Sequence, residues 1–148
     1  KCMFKKAQIA EKQILEIASK NKIEKIGIEQ NLQSFRSGFS SAHTLSSLSR
    51  FNGILSYIVF KMCDITPVFI NVNSARKSAG LKIVKKSKGG EPVKEQVFCW
   101  SQEYLSKNSF SWPTKVLKSG PRKGKEIFHP ACYDISDALV IAVATFST

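Results

Sequence analysis

Acidic side chains are scarce in this chain, which has 11 Asp and Glu against 23 Lys and Arg. The formal net charge is therefore +12 at pH 7. Lys and Arg that neutralise phosphates release condensed counterions, so this balance predicts a polyanionic partner. A basic surface without a specific partner and an anionic membrane surface are two alternatives that fit the same charge.

Long apolar runs are also absent. The longest, from Ala138 to Ala144, is far shorter than the roughly 20 residues that a membrane-spanning helix needs. The segment 1–6 is basic, but no apolar stretch follows it, so it does not predict a signal peptide. The sequence shows neither an internal repeat nor a low-complexity tail. We therefore expect no transmembrane helix and no membrane partner.

Closely spaced cysteine pairs are missing as well. Cys2, Cys63, Cys99 and Cys132 lie far apart and form no CxxC motif. Isolated thiols in a chain of this size usually pack as small reduced hydrophobic side chains, which predicts an intracellular protein. His129 and Cys132 are spaced closely enough to share a zinc ion, but no second pair accompanies them, so structural zinc is not expected.

The first half of the chain has the pattern of a βαβ unit. Apolar residues at helical spacing predict a helix over 3–20, and Asn21 is a plausible stop. Alternation over 23–30 predicts a strand that ends at Glu29. A polar segment, 31–41, leads to a long helix over 42–62, in which Gly53 suggests close packing. The apolar run 67–72 then predicts a buried parallel strand.

The second half combines basic loops with helices. The segments 76–82 and 85–90 read as one basic loop, and Pro92 marks the first turn of a helix that runs to about Ser106. A second basic loop, 115–125, precedes an apolar helix that begins near Asp134. With 148 residues and 43% hydrophobic content, we expect one domain over 1–148.

Three carboxylates are the candidate chemical groups. Asp134 and Asp137 are three residues apart on a helix, so both project from the same side of its first turn and could share one cation. The alternative is helix capping, in which Asp134 accepts from the amide of Asp137. Glu29 lies at a strand end of the βαβ unit, where open α/β sheets tend to bind ligands. It could also be an ordinary solvated strand-end residue.

Four segments in order carry a family resemblance. They are the strand 26–30 with Glu29, the basic segment 73–80, the helix start 92–97 and the acidic motif 134–139. Together they resemble the Holliday junction resolvases of the RuvC type, in the ribonuclease H-like nuclease superfamily. The resemblance implies an α/β, ribonuclease H-like fold with a mixed central sheet flanked by helices.

The resemblance also implies a metal site. Glu29, Asp134 and Asp137 would be catalytic ligands, and their hard oxygen atoms favour two Mg²⁺ or Mn²⁺ ions. The family's first strand carries a further catalytic Asp, but no such strand precedes Phe4, and Asp64 lies in the wrong place to replace it. We therefore expect the chain to be a fragment whose N-terminal hairpin lies in a preceding segment or a separate chain. Without that Asp, these three carboxylates alone would bind metal and cleave poorly.

Basic and aromatic residues are candidates for DNA contact. Solvated loop charge is the alternative for the basic residues, and packing between helices is the alternative for Phe35 and Phe39. His43 and His129 are expected to be structural. The predicted nucleic-acid contacts are Phe35, Arg36, Arg76, Lys77, Lys82, Lys85, Lys86, Lys94, Arg122 and Lys123.

These observations predict an endonuclease that resolves four-way or other branched DNA by metal-dependent phosphodiester hydrolysis. From the resemblance we expect a homodimer, with the helix over 42–62 as a plausible interface. Two alternatives remain open. One is a non-catalytic nucleic-acid-binding protein on the same scaffold. The other is a nuclease for RNA–DNA hybrids or a transposase-like enzyme.

Overall fold

The computed structural model describes residues 2–30 and 42–147. These residues form five α-helices, four short strands and one 3₁₀ turn, Lys86–Lys88, which confirms the α/β class. None of the helices in these two ranges is long and apolar enough to cross a membrane. The elements are α1 Met3–Lys20, β1 Gly27–Glu29, α2 Ala42–Cys63, β2 Val68–Ile70, α3 Val72–Ser78, α4 Val93–Tyr104, β3 Thr114–Val116, β4 Glu126–Phe128 and α5 Ala131–Phe146.

The chain divides into two compact units. Unit 1 comprises Lys1–Val72 with Thr145–Thr148, and unit 2 comprises Asn73–Ala144. Unit 1 contains α1, α2 and the sheet β1–β2. Unit 2 contains most of α3 and α5, all of α4 and the sheet β3–β4. A single nuclease domain over 1–148 stays a prediction.

In unit 1, the two long helices pack against each other as their sequence periodicity predicts. Helix α1 buries Ala7, and α2 buries Ile58 and Val59. The predicted stop of α1 is confirmed, because Asn21 donates both its backbone N–H and its side-chain amide to the Ile17 carbonyl, each at 3.0 Å. Side-chain amides that reach the last carbonyls of a helix satisfy acceptors that would otherwise lack a partner.

Strands β1 and β2 pair in parallel, so the predicted βαβ unit is confirmed. Gly27 is opposite Val68 and Glu29 is opposite Ile70. The prediction of a fully buried second strand is wrong, because Val68 is 44% and Phe69 is 46% exposed while only Ile70 is buried. A parallel strand is buried only where elements cover both faces of its sheet, and of the three residues of β2 only Ile70 is covered.

Two local features of α2 also bear on the sequence predictions. No described atom lies within 4 Å of the place where a Cβ would stand on Gly53, so close packing at this glycine was a wrong prediction. At the C-terminal end of α2, Asp64 adopts a left-handed φ of 54°. Its N–H donates to the Phe60 carbonyl at 2.9 Å, which closes the helix.

In unit 2, an aromatic cluster surrounds Phe98. Its ring makes edge-to-face contacts with Trp112, Phe128 and Tyr133, with centroids 5.0, 5.0 and 5.7 Å away. Edge-to-face pairs place the positive rim of one ring against the negative face of another. The cluster therefore ties α4 to α5 and to the hairpin of β3 and β4.

The hairpin corrects the reading of 115–125 as a plain basic loop. Strands β3 and β4 pair antiparallel, with Thr114 opposite Phe128 and Val116 opposite Glu126. Only 117–125 connects them. The sequence does not predict these two strands, because each has only three residues, which is too few to show a period-2 alternation.

The segment 81–84 follows the turn that ends α3 and is held in place by α4. Gly80 has a φ of 77°, and its turn lets the Leu81 N–H reach the Arg76 carbonyl at 2.9 Å. The Gln96 side chain accepts from the Val84 N–H at 2.9 Å and donates to the Val84 carbonyl at 2.8 Å. One side chain therefore fixes both backbone groups of one residue.

Candidate functional site

Glu29 lies where the sequence predicts it, at the carboxyl end of β1. It is exposed, and its carbonyl accepts from the Asn52 side-chain amide at 3.1 Å. The N–H of the next residue, Gln30, donates to the Ile70 carbonyl at 2.9 Å, so the parallel pairing continues past the strand end. The backbone that carries this carboxylate is thus fixed by both α2 and β2.

Asp134 and Asp137 lie on α5, but not at its start. The helix begins at Ala131, so Asp134 is inside its first turn and does not occupy the cap position. Asp134 therefore does not cap α5, but its charge lies in the first turn, where it complements the helix dipole. The backbone N–H of Ala131 instead has the His129 ring as its acceptor, with Nδ1 at 3.1 Å. Asp134 is exposed and Asp137 is partly buried.

Asp137 is paired with Arg76 of α3. The guanidinium Nη2 lies 3.4 Å from Asp137 Oδ1, and the two side chains are 19% and 40% exposed. Within the described residues, Arg76 Nε is buried and has no hydrogen-bond partner. The prediction that Arg76 and Lys77 lie on a loop is wrong, because both are in the last turn of α3. The ion pair brings α3 to the acidic face of α5.

A second polar cluster forms around Tyr133, the residue immediately before Asp134. The Tyr133 hydroxyl donates to Glu95 Oε1 at 2.7 Å, and Lys94 Nζ lies 4.8 Å from the centre of the Tyr133 ring. This hydrogen bond raises the pKa of Tyr133 above its ordinary value of 10.0, and partial burial and the negative charge of Glu95 act in the same direction. A cation over an aromatic face is attracted by the ring quadrupole.

The remaining predicted DNA contacts are on the surface of unit 2. Lys82 is in the segment between α3 and the 3₁₀ turn, Lys85 precedes that turn, which contains Lys86, and Lys94 is in the first turn of α4. Arg122 and Lys123 lie in the connection between β3 and β4. All six are exposed. They are accessible to a phosphate backbone, and their contact with DNA stays a prediction.

Several predictions fall outside the described residues. Phe35, Phe39 and Arg36 lie in 31–41, so their roles stay predictions.

The four cysteines are free thiols as predicted; Cys132 is buried, whereas Cys2 and Cys99 are exposed. In residues 2–30 and 42–147, no three His, Cys, Asp or Glu side chains are grouped closely enough to hold one metal ion.

Sequence reasoning missed the cluster of Lys94, Glu95 and Tyr133. Lys94 was singled out for DNA contact, but its position over an aromatic ring depends on how α4 and α5 pack. The only local signal was the position of Tyr133 immediately before Asp134. The carboxylate partner lies 38 residues earlier in the chain, and no periodicity connects the two.

Comparison with known proteins assigns no family. The chain matches no protein-family model, no curated protein and no solved structure.

Proposed function

We propose that this chain is a structure-selective endonuclease that cleaves branched DNA, with a ribonuclease H-like fold. The observation that carries the proposal is Glu29 at the carboxyl end of β1, in a parallel βαβ unit whose register is fixed. Ligand sites of open α/β sheets lie at this end of the strands. In the proposal, Asp134 and Asp137 on one side of α5 are the other two metal ligands, as the family resemblance implies.

The donor chemistry fits a divalent hard cation. Glu29, Asp134 and Asp137 offer carboxylate oxygens, which Mg²⁺ and Mn²⁺ prefer. Bound ions of this kind activate water and stabilise the leaving oxygen of a phosphodiester. The protein's own contribution would be to orient these carboxylates, and Arg76 already orients Asp137 through its contact with Oδ1.

Unit 2 supports the DNA part of the proposal through its accessible positive charge. Lys85, Lys86, Arg122 and Lys123 are exposed, and none of them has an ion-pair partner within the described ranges. Lys and Arg without local counterions are suited to phosphate contacts that position a nucleic acid without reading its sequence. The net charge of +12 adds long-range attraction.

Homodimer formation is part of the proposal. Helix α2 exposes Tyr57 and Phe60, which are three residues apart on one side of the helix and 66% and 50% accessible. Large apolar side chains along one helix are typical of a surface that another chain covers. A two-fold enzyme would suit a nearly two-fold junction.

The test is cleavage of a synthetic four-way junction by the full-length native protein in Mg²⁺ or Mn²⁺, resolved on a denaturing gel. We expect paired symmetric nicks that Glu29→Gln and Asp137→Asn each reduce by at least about 100-fold, in the range seen when an electrostatic catalytic group is removed. Junction binding should be retained or strengthened in Asp137→Asn, because a negative charge near phosphate is lost. Linear duplex and RNA–DNA hybrid are the competing substrates.

Two exposed carboxylates provide matched controls. Glu24→Gln and Asp64→Asn remove the same charge at positions outside the proposed site, and both should cleave normally. Equal loss in the controls, or loss of binding together with unfolding in Asp137→Asn, would contradict the proposed role of the site. Preferred cleavage of the hybrid would contradict the substrate.

A second candidate is a non-catalytic nucleic-acid-binding protein on the same scaffold. The observation that favours it is the ion pair between Arg76 and Asp137, because a carboxylate that already has a cationic partner is a weaker metal ligand. Tight junction binding with no nick in either metal, in the wild type as well as in the variants, would establish this candidate in place of the first.

A further inference from the structure

The hairpin of β3 and β4 concentrates the positive charge of unit 2. We call residues 114–128 the basic hairpin. Within it, residues 115–125 contain five basic side chains and no acidic one, namely Lys115, Lys118, Arg122, Lys123 and Lys125. Lys115 is half-buried, and the other four are exposed. None of the five forms an ion pair within the described residues, so their charge is available to an external anion.

The paired backbone of the basic hairpin continues past the two strands. The Leu117 N–H donates to the Lys125 carbonyl at 3.0 Å, and the Gly124 N–H donates to the Leu117 carbonyl at 2.9 Å. Two residues therefore face Leu117, which is the pattern of a β-bulge that begins with a left-handed glycine. Gly124 has the required φ, 86°. The bulge fixes how the chain enters the tip from the side of β4.

A turn closes the tip of the basic hairpin. The Lys123 N–H donates to the Gly120 carbonyl at 3.0 Å. Pro121 and Arg122 are the central residues of this turn, and proline favours the first central position because its φ is already fixed. The Lys125 N–H donates to the Arg122 carbonyl at 3.1 Å. Arg122 and Lys123 are thus held on an ordered backbone before any ligand binds.

The base of the basic hairpin is anchored in the core of unit 2. Phe128 packs edge-to-face on Phe98, with ring centroids 5.0 Å apart. The His129 N–H donates to the Pro113 carbonyl at 2.8 Å, and the Cys132 Sγ lies 3.3 Å from the same oxygen. A charged tip on an anchored ribbon loses little conformational freedom when it binds, which favours affinity.

The shape of the basic hairpin fits the major groove of duplex DNA. Paired strands lie about 4.8 Å apart. The major groove is about 12 Å wide and admits a two-stranded ribbon, whereas the minor groove is about 6 Å wide. Lys118 and Lys125 lie on opposite arms of the hairpin, just as the phosphates of the two DNA strands lie on opposite sides of the groove.

The composition of the tip favours duplex DNA over other polyanions. Single-stranded nucleic acids are bound by stacking their bases on aromatic side chains. Membrane surfaces are bound by elements that insert large apolar side chains below the headgroups. Residues 118–125 contain neither aromatic nor large aliphatic side chains. Their positive charge is suited to phosphate contacts along a duplex.

We propose that the basic hairpin enters the major groove of a duplex arm of the DNA substrate. Arg122 and Lys123 lie in the groove, and Lys118 and Lys125 contact the phosphates on its two sides. The inference rests on the proposed function for its partner, and it adds which element holds an arm and which groove that element occupies. It does not involve the three proposed metal ligands.

The test is dimethyl sulfate protection of a synthetic four-way junction, measured without divalent metal so that no strand is cut. The reagent methylates guanine N7 in the major groove and adenine N3 in the minor groove, so one reaction reports on both grooves. We expect the bound protein to protect guanine N7 in a duplex arm and to leave adenine N3 reactive.

A double variant and a matched control identify the element responsible. Arg122→Gln with Lys123→Gln should remove the guanine N7 protection and weaken junction binding about tenfold, as expected for the loss of two charge-assisted contacts. Lys20→Gln with Lys22→Gln removes the same charge from unit 1, where both lysines already pair with carboxylates. This control should keep the protection and bind within about twofold of the wild type.

A glycine variant tests the ordered tip without changing its charge. No described atom lies within 4 Å of the place where a Cβ would stand on Gly124, so a substitution there acts through the left-handed φ. Alanine rarely adopts this conformation, whereas asparagine tolerates it. Gly124→Ala should therefore weaken junction binding about fivefold, because only part of the population keeps the ordered tip. Gly124→Asn should bind within about twofold of the wild type.

Four results would overturn the proposal. Protection of adenine N3 that disappears in the double tip variant would place the hairpin in the minor groove. Equal binding of Gly124→Ala and Gly124→Asn would show that the ordered tip has no role. Junction cleavage by a wild type whose guanine N7 protection does not depend on Arg122 and Lys123 would reject the hairpin but keep the proposed function. A wild type that binds anionic lipid vesicles and not the junction would reject both. Circular dichroism of each variant checks that it is folded.

Discussion

At the scale of single residues, Tyr133 is the group whose environment makes the clearest prediction. Its hydrogen bond to Glu95 raises the pKa of the phenol. A phenol with a raised pKa in the folded state stabilises the fold in its protonated form, so the contribution is complete below about pH 10, the unfolded pKa. It is lost as the pH rises through the higher pKa of the folded state.

The expected result is a late-titrating tyrosine. Tyr133 should ionise above its ordinary pKa in a phenolate absorbance titration, and Tyr133→Phe should remove this late step. The variant should also be less stable than the wild type at pH 7, and the difference should shrink above pH 10. A step that persists in Tyr133→Phe would place the raised pKa on another tyrosine. Tyr104→Phe is the matched control, because it also removes one phenol hydroxyl, from a tyrosine whose ring stacks on Trp100.

At the scale of elements, two glycines predict opposite responses to the same substitution. Gly90→Ala would place a Cβ 2.2 Å from the Val84 carbonyl oxygen. Since the contact is with backbone, the segment before α4 must shift, and we expect a loss of about 1–3 kcal/mol in the free energy of unfolding. Gly53→Ala in the exposed interior of α2 meets no described atom within 4 Å and should gain about 0.5–1 kcal/mol.

Urea denaturation measures both glycine variants. The comparison is internally controlled, because each change adds the same methyl group. A stabilised Gly90→Ala would show that residues 84 and 90 do not approach as closely as the structure describes.

Some of these elements could be predicted from the sequence, and others could not. Helix α1 and the βαβ unit were predictable, because Asn21, the strand alternation and the apolar run 67–72 are local signals. The start of α5 was placed near Asp134 although Pro130, just before Ala131, marks the true start. The Arg76–Asp137 pair joins residues 61 positions apart. Such contacts arise from packing between elements, which no local pattern in one sequence contains.

At the scale of the whole molecule, the positive charge predicts the salt dependence of DNA binding. Each phosphate contact contributes about 0.9 to the slope of log affinity against log salt concentration. Arg122→Gln with Lys123→Gln, in the exposed connection of the hairpin, should therefore reduce the slope by about 2. Lys20→Gln with Lys22→Gln removes the same charge from residues that already pair with Glu16 and Glu24, and should change the slope little. Equal slopes for both double variants would mean that the hairpin does not contact phosphate.

The two small sheets differ in how far along the chain their partners lie. Gly27 pairs with Val68 across the whole of α2, whereas Thr114 pairs with Phe128 across a short connection. Closing the longer loop costs about 1 kcal/mol more in chain entropy, and contacts between distant residues form slowly. The hairpin of unit 2 should therefore gain protection from amide exchange early in refolding, and the strand that carries Glu29 should gain it late.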